Sequence, residues 1–193
     1  AKVLSFGGAD VKITYHKGTE DAYQVVDEII AGGGIADSFH LNVLEENINF
    51  LSILKTKWAP THMYYFATPF IASGKSRVFS TSLFKKFCDF YVVGFQRIVE
   101  QLSQLGLKGV IYPSSVFVDN IPYNMGEYAT AKMAGEELCS YLEKTKKGII
   151  FHKPRLPKVS TDQTTSIVPT VNDDPVFIML KHLRNLRDSS NYE

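Results

Sequence analysis

The stretch that decides the fold is Val110 to Leu142, VIYPSSVFVDNIPYNMGEYATAKMAGEELCSYL. It opens inside an apolar run, Gly109 to Ser115, that reads as a strand, and continues from Glu127 with apolar residues three and four apart. On the helix that this spacing predicts, Tyr128 and Lys132 rise on one face, with Gly135 and Cys139 continuing it. Ala131, Leu138 and Leu142 mark the neighbouring core stripe. Alone, the pair says little: chance supplies roughly one YxxxK in such a composition, and an exposed Tyr beside an exposed Lys is its ordinary reading. The setting adds weight. Ser114 and Ser115 end an apolar strand, and the carboxyl ends of parallel strands line the ligand crevice of α/β sheets.

Working outward, short β-branched or aromatic runs recur at Val11 to Tyr15, Asp37 to Val43, His62 to Thr68 and Gly148 to Pro154. Between them, Thr19 to Ala31, Glu45 to Lys57, Leu83 to Leu105 and Glu127 to Thr145 carry helical apolar spacing. Strand and helix therefore alternate, and the strands are nearly continuous in apolar residues. That pattern predicts an α/β fold, a doubly wound, Rossmann-like parallel sheet with helices on both faces. Gly32, Gly33 and Gly34 end the first full helix, and Pro175 opens a last helix through Arg187 on which Phe177, Leu180 and Leu183 share a face. The segment Pro69 to Ser82, PFIASGKSRVFSTS, is irregular and reads either as a loop over a site or as a plain connector.

The composition allows one domain over residues 1–193, with 45% apolar and 21% charged residues. A formal charge of +1 without long single-sign runs argues against a polyanion such as nucleic acid as the main partner. No run approaches the roughly 18 apolar residues of a membrane span, and the first residues do not read as a signal peptide. Cys88 and Cys139 form no CxxC or metal-spaced cluster, so a reducing, cytoplasmic setting is expected and no metal site. His40, His62, His152 and His182 make no i, i+4 pair and read as structural.

The strand ending in Ser-Ser-Val, then Tyr128-Ala-Thr-Ala-Lys132 and a Gly135-Glu136 helix, resembles the short-chain dehydrogenase/reductase family. The resemblance extends through Asp10 to Lys17, Leu41-Asn-Val43, Phe66-Ala-Thr68 and Pro154-Arg-Leu-Pro157, nearly the whole chain. It implies a catalytic group of Ser115, Tyr128 and Lys132. Tyr128 would give its proton to a carbonyl oxygen as hydride arrives from a nicotinamide, and Ser115, rather than Ser114, would hydrogen-bond that oxygen. Lys132 would hold the nicotinamide ribose and lower the phenol's pKa. A unit charge at about 4 Å is worth roughly 4 kcal/mol at an effective dielectric near 20, enough to bring a Tyr pKa of about 10 down by up to about three units.

The same resemblance assigns cofactor contacts to His16, Lys17, Asn42, Ala67, Lys132 and Pro157. In such folds the residue past the second strand reads the adenosine ribose, an acid suiting NAD and a base suiting NADP. The turn Tyr15-His16-Lys17-Gly18-Thr19 has no acid before Glu20, so NADP is expected over NAD, with Lys17 as phosphate partner. Asn42 matches the usual Asp beside the adenine, Ala67 a small residue under the cofactor, and Pro157 the segment after the sixth strand.

The pattern is broken in places. Gly7-Gly-Ala-Asp10 is not the family's glycine-rich loop; by the match, Ala1 to Gly7 is the end of the helix after that loop. The first strand and its glycines are thus expected upstream of residue 1, in a longer polypeptide. The family's Asn on the helix before the serine strand is missing from Cys88 to Gly94, CDFYVVG, and Asn-Ala-Gly at the fourth strand is replaced by Phe66-Ala-Thr-Pro.

The expected activity is NADP-dependent reduction of a free or carrier-bound keto compound. Other domains of a longer chain, or further copies of this one, are the expected partners. The VVGFQRIVEQLSQLGLKGVIYPSS and KPRLP segments also fit an epimerase or dehydratase of nucleotide-linked sugars, and the broken motifs fit a non-catalytic Rossmann module.

Overall fold

The computed structural model describes residues 1–50, 58–71, 73–75, 77–157 and 175–190. They pack as two compact units, 1–58 and 59–193.

In the first unit the elements are α1 (Lys2–Phe6), β1 (Asp10–Tyr15), α2 (Thr19–Ala31) and β2 (Ile35–His40). β1 and β2 are parallel, with Val11 opposite Ala36 and Tyr15 opposite His40, and α2 connects them as a β-α-β unit. Helix α2 buries Ala22, Val26 and Ile29, one stripe at helical spacing. Gly33 (φ 82°) makes the return turn after it. At Gly34 the chain passes so close to α1 that a Cβ would lie 2.9 Å from the Ile29 side chain and closer still to Ser5.

The second unit holds β3 (His62–Tyr64), α3 (Thr81–Cys88), a π-helical turn (Asp89–Gly94) and α4 (Phe95–Ser103). Then follow β4 (Gly109–Ile111), β5 (Ser114–Ser115), a 3-10 turn (Val116–Val118) and α5 (Gly126–Thr145). β6 (Ile150–His152), β7 (Arg155–Leu156) and α6 (Pro175–Ser190) complete it. β4 is central in the parallel order β3-β4-β6, and β5 pairs in parallel with β7. All three residues of β4 are buried, as a strand covered on both faces requires. Phe87, Tyr91, Phe95 and Val99 from the helical run, and Ala131, Cys139 and Leu142 from α5, form its cover and are buried.

The expected alternation is present, with shorter strands. Proline has no N–H to give a ladder, so Gly109 to Ser115 is split at Pro113 into β4 and β5. The run from His62 to Thr68 is strand only to Tyr64, and the run from Asp37 to Val43 ends at His40. There the Asn42 side chain accepts from Leu44 N at 3.1 Å, a local turn that competes with the ladder. Of the helix expected over 45–57, residues 45–49 are not helical and 51–57 lie outside the described residues. The expected helix from Leu83 contains the π turn, which apolar spacing alone does not reveal.

Two of the histidines read as structural meet: His152 Nε2 and His182 Nδ1 lie 2.9 Å apart and join β6 to α6. Such a contact needs one ring donating and the other accepting, so the accepting ring is neutral and the two rings cannot both be protonated. Burial lowers both pKa values; the facing ring lowers His152 further and Lys181 lowers His182. With folded values below the ordinary 6.5, the stability this pair contributes is present above that pH and is lost as pH falls through it. Amide exchange in residues 175–190, corrected for intrinsic rates, should accelerate between pH 7.5 and 5.5, and His182→Asn should flatten that dependence. Equal protection at both pH values would contradict it.

Candidate active site

α5 begins after Met125 and buries polar residues along a whole face: Glu127, Tyr128, Lys132 and Glu136. Ala129, Ala131 and Gly135 let that face approach the sheet closely. A Cβ at Gly135 would come 3.0 Å from the Tyr91 carbonyl and collide with the Tyr112 hydroxyl. Buried polar groups persist only when partnered, and each of these has a distinct partner.

Lys132 Nζ donates to the carbonyl of Pro113 at 2.8 Å. The same nitrogen lies 3.9 Å from the centre of the Tyr91 ring and 5.2 Å from that of Tyr112. A desolvated ammonium over an aromatic face gains about 2 kcal/mol. Burial nonetheless brings the Lys132 pKa down to about 7, with Cys139 and Glu136 acting the other way.

Tyr128 is 9% exposed, its ring set edge-on against Phe87, Tyr91 and Phe117 with centroids 5.6, 5.7 and 6.4 Å away. Burial raises its pKa, and the Ser115 hydroxyl draws it partly back. The expected fall towards neutrality is therefore overturned. Lys132 Nζ sits 5.9 Å from the centre of the Tyr128 ring and spends a proton on Pro113, so desolvation outweighs its charge. Ser115 is buried, and its Oγ accepts from Phe117 N at 3.2 Å to start the 3-10 turn.

Ser114 has a different role. Its hydroxyl donates to Glu136 Oε1 at 2.5 Å, and Arg155 holds the same carboxylate through Nε at 2.9 Å and Nη2 at 2.6 Å. Arg155 Nη1 also pairs with Asp119. Burial alone would raise the Glu136 carboxyl; the Arg155 and Ser114 hydrogen bonds, with the charges of Arg155 and Lys153, outweigh it and the net direction is down.

Glu127, 2% exposed, accepts from Ser80 N at 2.5 Å, while the Ser80 hydroxyl caps α3 by accepting from Leu83 N. A Cβ at Gly74 would lie 2.6 Å from the Glu127 carboxylate. Gly74 N donates to Asn124 O and Arg77 N to Tyr123 O. The irregular segment is thus tied to the start of α5 at Gly74, Arg77 and Ser80.

Ser115, Tyr128 and Lys132 are all within the second unit, in or beside β5 and the first turns of α5. Ala67 there is half-buried past the end of β3, and Pro157 is exposed just past β7. In the first unit, His16 and Lys17 are exposed at the carboxyl end of β1, where the His16 ring is 5.5 Å from that of His40. Asn42, past the end of β2, uses its oxygen on Leu44 N. Sequence reasoning missed Tyr91, Glu127, Glu136 and Arg155 as site residues. Only Glu136 carried a signal, one helical turn beyond Lys132, and such a pair is ordinarily a surface pair. Among the described residues no helix is long and apolar enough to cross a membrane, and no group of three or more His, Cys, Asp or Glu could hold a metal.

No family model matches the chain, and no curated protein sequence does. Solved structures do. The FolM alternative dihydrofolate reductase 1 from Brucella suis, in complex with NADP, has a TM-score of 0.81 at 12% identity, covering 97% of this chain and 82% of that one. A short chain dehydrogenase from Salmonella enterica serovar Typhi has a TM-score of 0.79 at 15% identity, covering 95% and 82%. For an acetoin dehydrogenase from Enterobacter cloacae the values are 0.71, 16%, 83% and 69%. The fold is that of the short-chain dehydrogenases. It is the Rossmann-type α/β fold expected from the alternation of elements, and likeness at this identity speaks for architecture alone.

The short-chain dehydrogenase fold here places Glu136 at the junction of β5, β7 and α5. Glu136→Gln removes the charge that Arg155 and Ser114 satisfy and should cost about 2 kcal/mol, read as a lower midpoint in urea. Because the folded carboxyl lies below its ordinary 4.5, its contribution is present above that pH and lost as pH falls through the folded value. The variant should therefore lose less stability than the parent on acidification; parallel acid profiles would contradict this.

Proposed function

We propose that this chain is an NADP-dependent reductase of the short-chain dehydrogenase/reductase family acting on a keto compound, free or carrier-bound. The observation that carries the reading is the gathering of Ser115, Tyr128 and Lys132 beside one strand end within one unit. The likeness to an NADP-bound reductase supports the cofactor class.

The residues present fit the cofactor. Lys132 gives one N–H to Pro113, and an ammonium has three, so donors remain for the hydroxyls of a ribose. His16 and Lys17 are exposed at a strand end with no acid between Tyr15 and Glu20, which suits a 2′-phosphate. Asn42, Ala67 and Pro157 are assigned to the same cofactor. When bound, it supplies the hydride.

The chain's own groups supply the proton and the polarity. Tyr128, with its pKa raised by burial, keeps its proton at neutral pH and can release it to the substrate oxygen as charge develops there. Lys132 as an ammonium then stabilises the phenolate left behind. Ser115 donates to the same substrate oxygen and orients it. A protonated phenol beside a lysine titrating near 7 favours reduction over the reverse oxidation at neutral pH.

A second reading, a non-catalytic module that keeps the fold, draws on the Tyr at position 91 within the segment where the family carries Asn. One experiment separates the two: NADPH consumption at 340 nm over a panel of ketones, aldehydes and diketones. Tyr128→Phe should reduce kcat/KM by about 10²- to 10⁴-fold. The parent rate should decline as pH rises through about 7, where Lys132 loses its charge. A nucleotide-linked sugar turned over without net NADPH loss would point to the epimerase branch. Undiminished activity in Tyr128→Phe would end the catalytic assignment.

A further inference from the structure

We propose that Tyr91 is a positioning residue of this site, its ring face rather than its hydroxyl seating the Lys132 ammonium beside Tyr128. The proposal rests on the reductase reading for its effect on rate, and on the structure alone for its effect on Lys132.

Tyr91 is fully buried in the π turn between α3 and α4, and its ring centre lies 3.9 Å from Lys132 Nζ. The other rings near that nitrogen are farther, Tyr112 at 5.2 Å and Tyr128 at 5.9 Å. Among the described residues no carboxylate is paired with Lys132: Glu136, the acid one turn along, is held by Arg155 and Ser114. The titratable groups facing the ammonium are Tyr128, Glu136 and Cys139 on its own helix, Tyr91 from the π turn and Tyr112 past the end of β4. Of these, Tyr91 presents its π face at the shortest distance, and that face carries the negative end of the ring quadrupole.

The ring is fixed from several sides. It stacks on Phe87 at 5.8 Å with planes 6° apart. Its carbonyl accepts from the Tyr112 hydroxyl at 3.1 Å, a contact that the missing side chain at Gly135 leaves room for. Its hydroxyl lies 2.6 Å from Thr68 Oγ1, which itself donates to Pro69 O at 3.0 Å. Either hydroxyl can donate in the first contact, and in both cases the Tyr91 oxygen is tied to Thr68. The hydroxyl therefore serves to lock the ring, while the face meets the cation.

The test replaces Tyr91 with phenylalanine and then with 4-fluoro-, 3,5-difluoro- and 3,4,5-trifluorophenylalanine in the full chain. Ring shape is kept while the negative potential of the face is progressively removed, and thermal melts check that each variant is folded. The Lys132 titration is followed by NMR of ε-¹³C lysine, with Lys132→Arg identifying the resonance. Tyr91→Phe should leave the midpoint near that of the parent. The fluorinated series should lower it stepwise, by about one unit overall, a tenfold loss in the stability of the ammonium. The alkaline limb of the NADPH-dependent rate should move down in parallel.

A midpoint unmoved by fluorination would overturn the proposal, leaving Tyr91 as filling. So would a shift in Tyr91→Phe as large as in the trifluoro variant. If the midpoint moves and the parent reduces no carbonyl, the seat stands and the reductase reading falls. If reduction proceeds while the midpoint stays fixed, the seat alone falls.

Discussion

A lysine ammonium taken out of water must recover its lost hydration from the protein, and the second unit is organised around how Lys132 does so. One proton goes to the carbonyl of Pro113. That carbonyl is available because proline breaks the strand between Ile111 and Ser114, turning the chain out of the β4 ladder and into β5. The aromatic partner is available because the helical run from Thr81 to Ser103 loosens to a π turn at Asp89–Gly94, which carries Tyr91. The carbonyls of that turn are met by hydroxyls, Phe90 O by Tyr65 and Tyr91 O by Tyr112. Two irregularities of backbone, one in a strand and one in a helix, thus serve a single buried charge.

Glu136, one helical turn from Lys132, shows what the alternative would have been. A carboxylate placed against Lys132 would hold it firmly charged and fix it in an ion pair. Instead the carboxylate is claimed by Arg155 in a bidentate fork and by Ser114. This division gives the two neighbouring serines separate work. Ser114 closes the ionic network that binds β5, β7 and α5, leaving Ser115, beside Tyr128, as the hydroxyl assigned to chemistry in the proposed function. Lys132, with its pKa brought down to about 7, is poised to change charge near neutral pH, which suits the proton transfer proposed above.

The alternation of strand and helix was legible from apolar periodicity, because β4 and the inner face of α2 bury the residues their spacing marks; on α5 Ala131 and Leu142 are buried as marked, but Leu138 is half-exposed and the face of Tyr128, Lys132, Gly135 and Cys139 is buried instead. Thr19–Ala31 and Pro175 onward were readable to the residue at their starts, where turn residues sit beside clear helical spacing. Ser115, Tyr128 and Lys132 were legible as a group only through their resemblance to a family motif; spacing alone left them an exposed pair and a turn serine. The π turn was not legible, since one extra residue in a helix leaves no mark on composition. Nor was the His152–His182 contact, which joins residues thirty apart through tertiary packing. The direction of the Tyr128 pKa was misread for a related reason. A sequence gives the charge of a neighbour but not its distance or the depth of burial, and here depth decides.

On the reductase reading proposed above, that reversal changes what the site is suited to do. A tyrosine drawn down by a close ammonium would be poised as a base, ready to take a proton from an alcohol. A tyrosine pushed up by burial, with the cation held to one side over Tyr91, remains a phenol until charge appears on a substrate oxygen. Its acidity would then be created by the reaction itself, because the phenolate that forms would be an anion that no described residue pairs with Lys132 in the resting structure. The cost of burying an ammonium that no described carboxylate pairs with would thereby be recovered at the moment of proton transfer, when the electrostatic gain would accelerate the step rather than merely stabilise the fold.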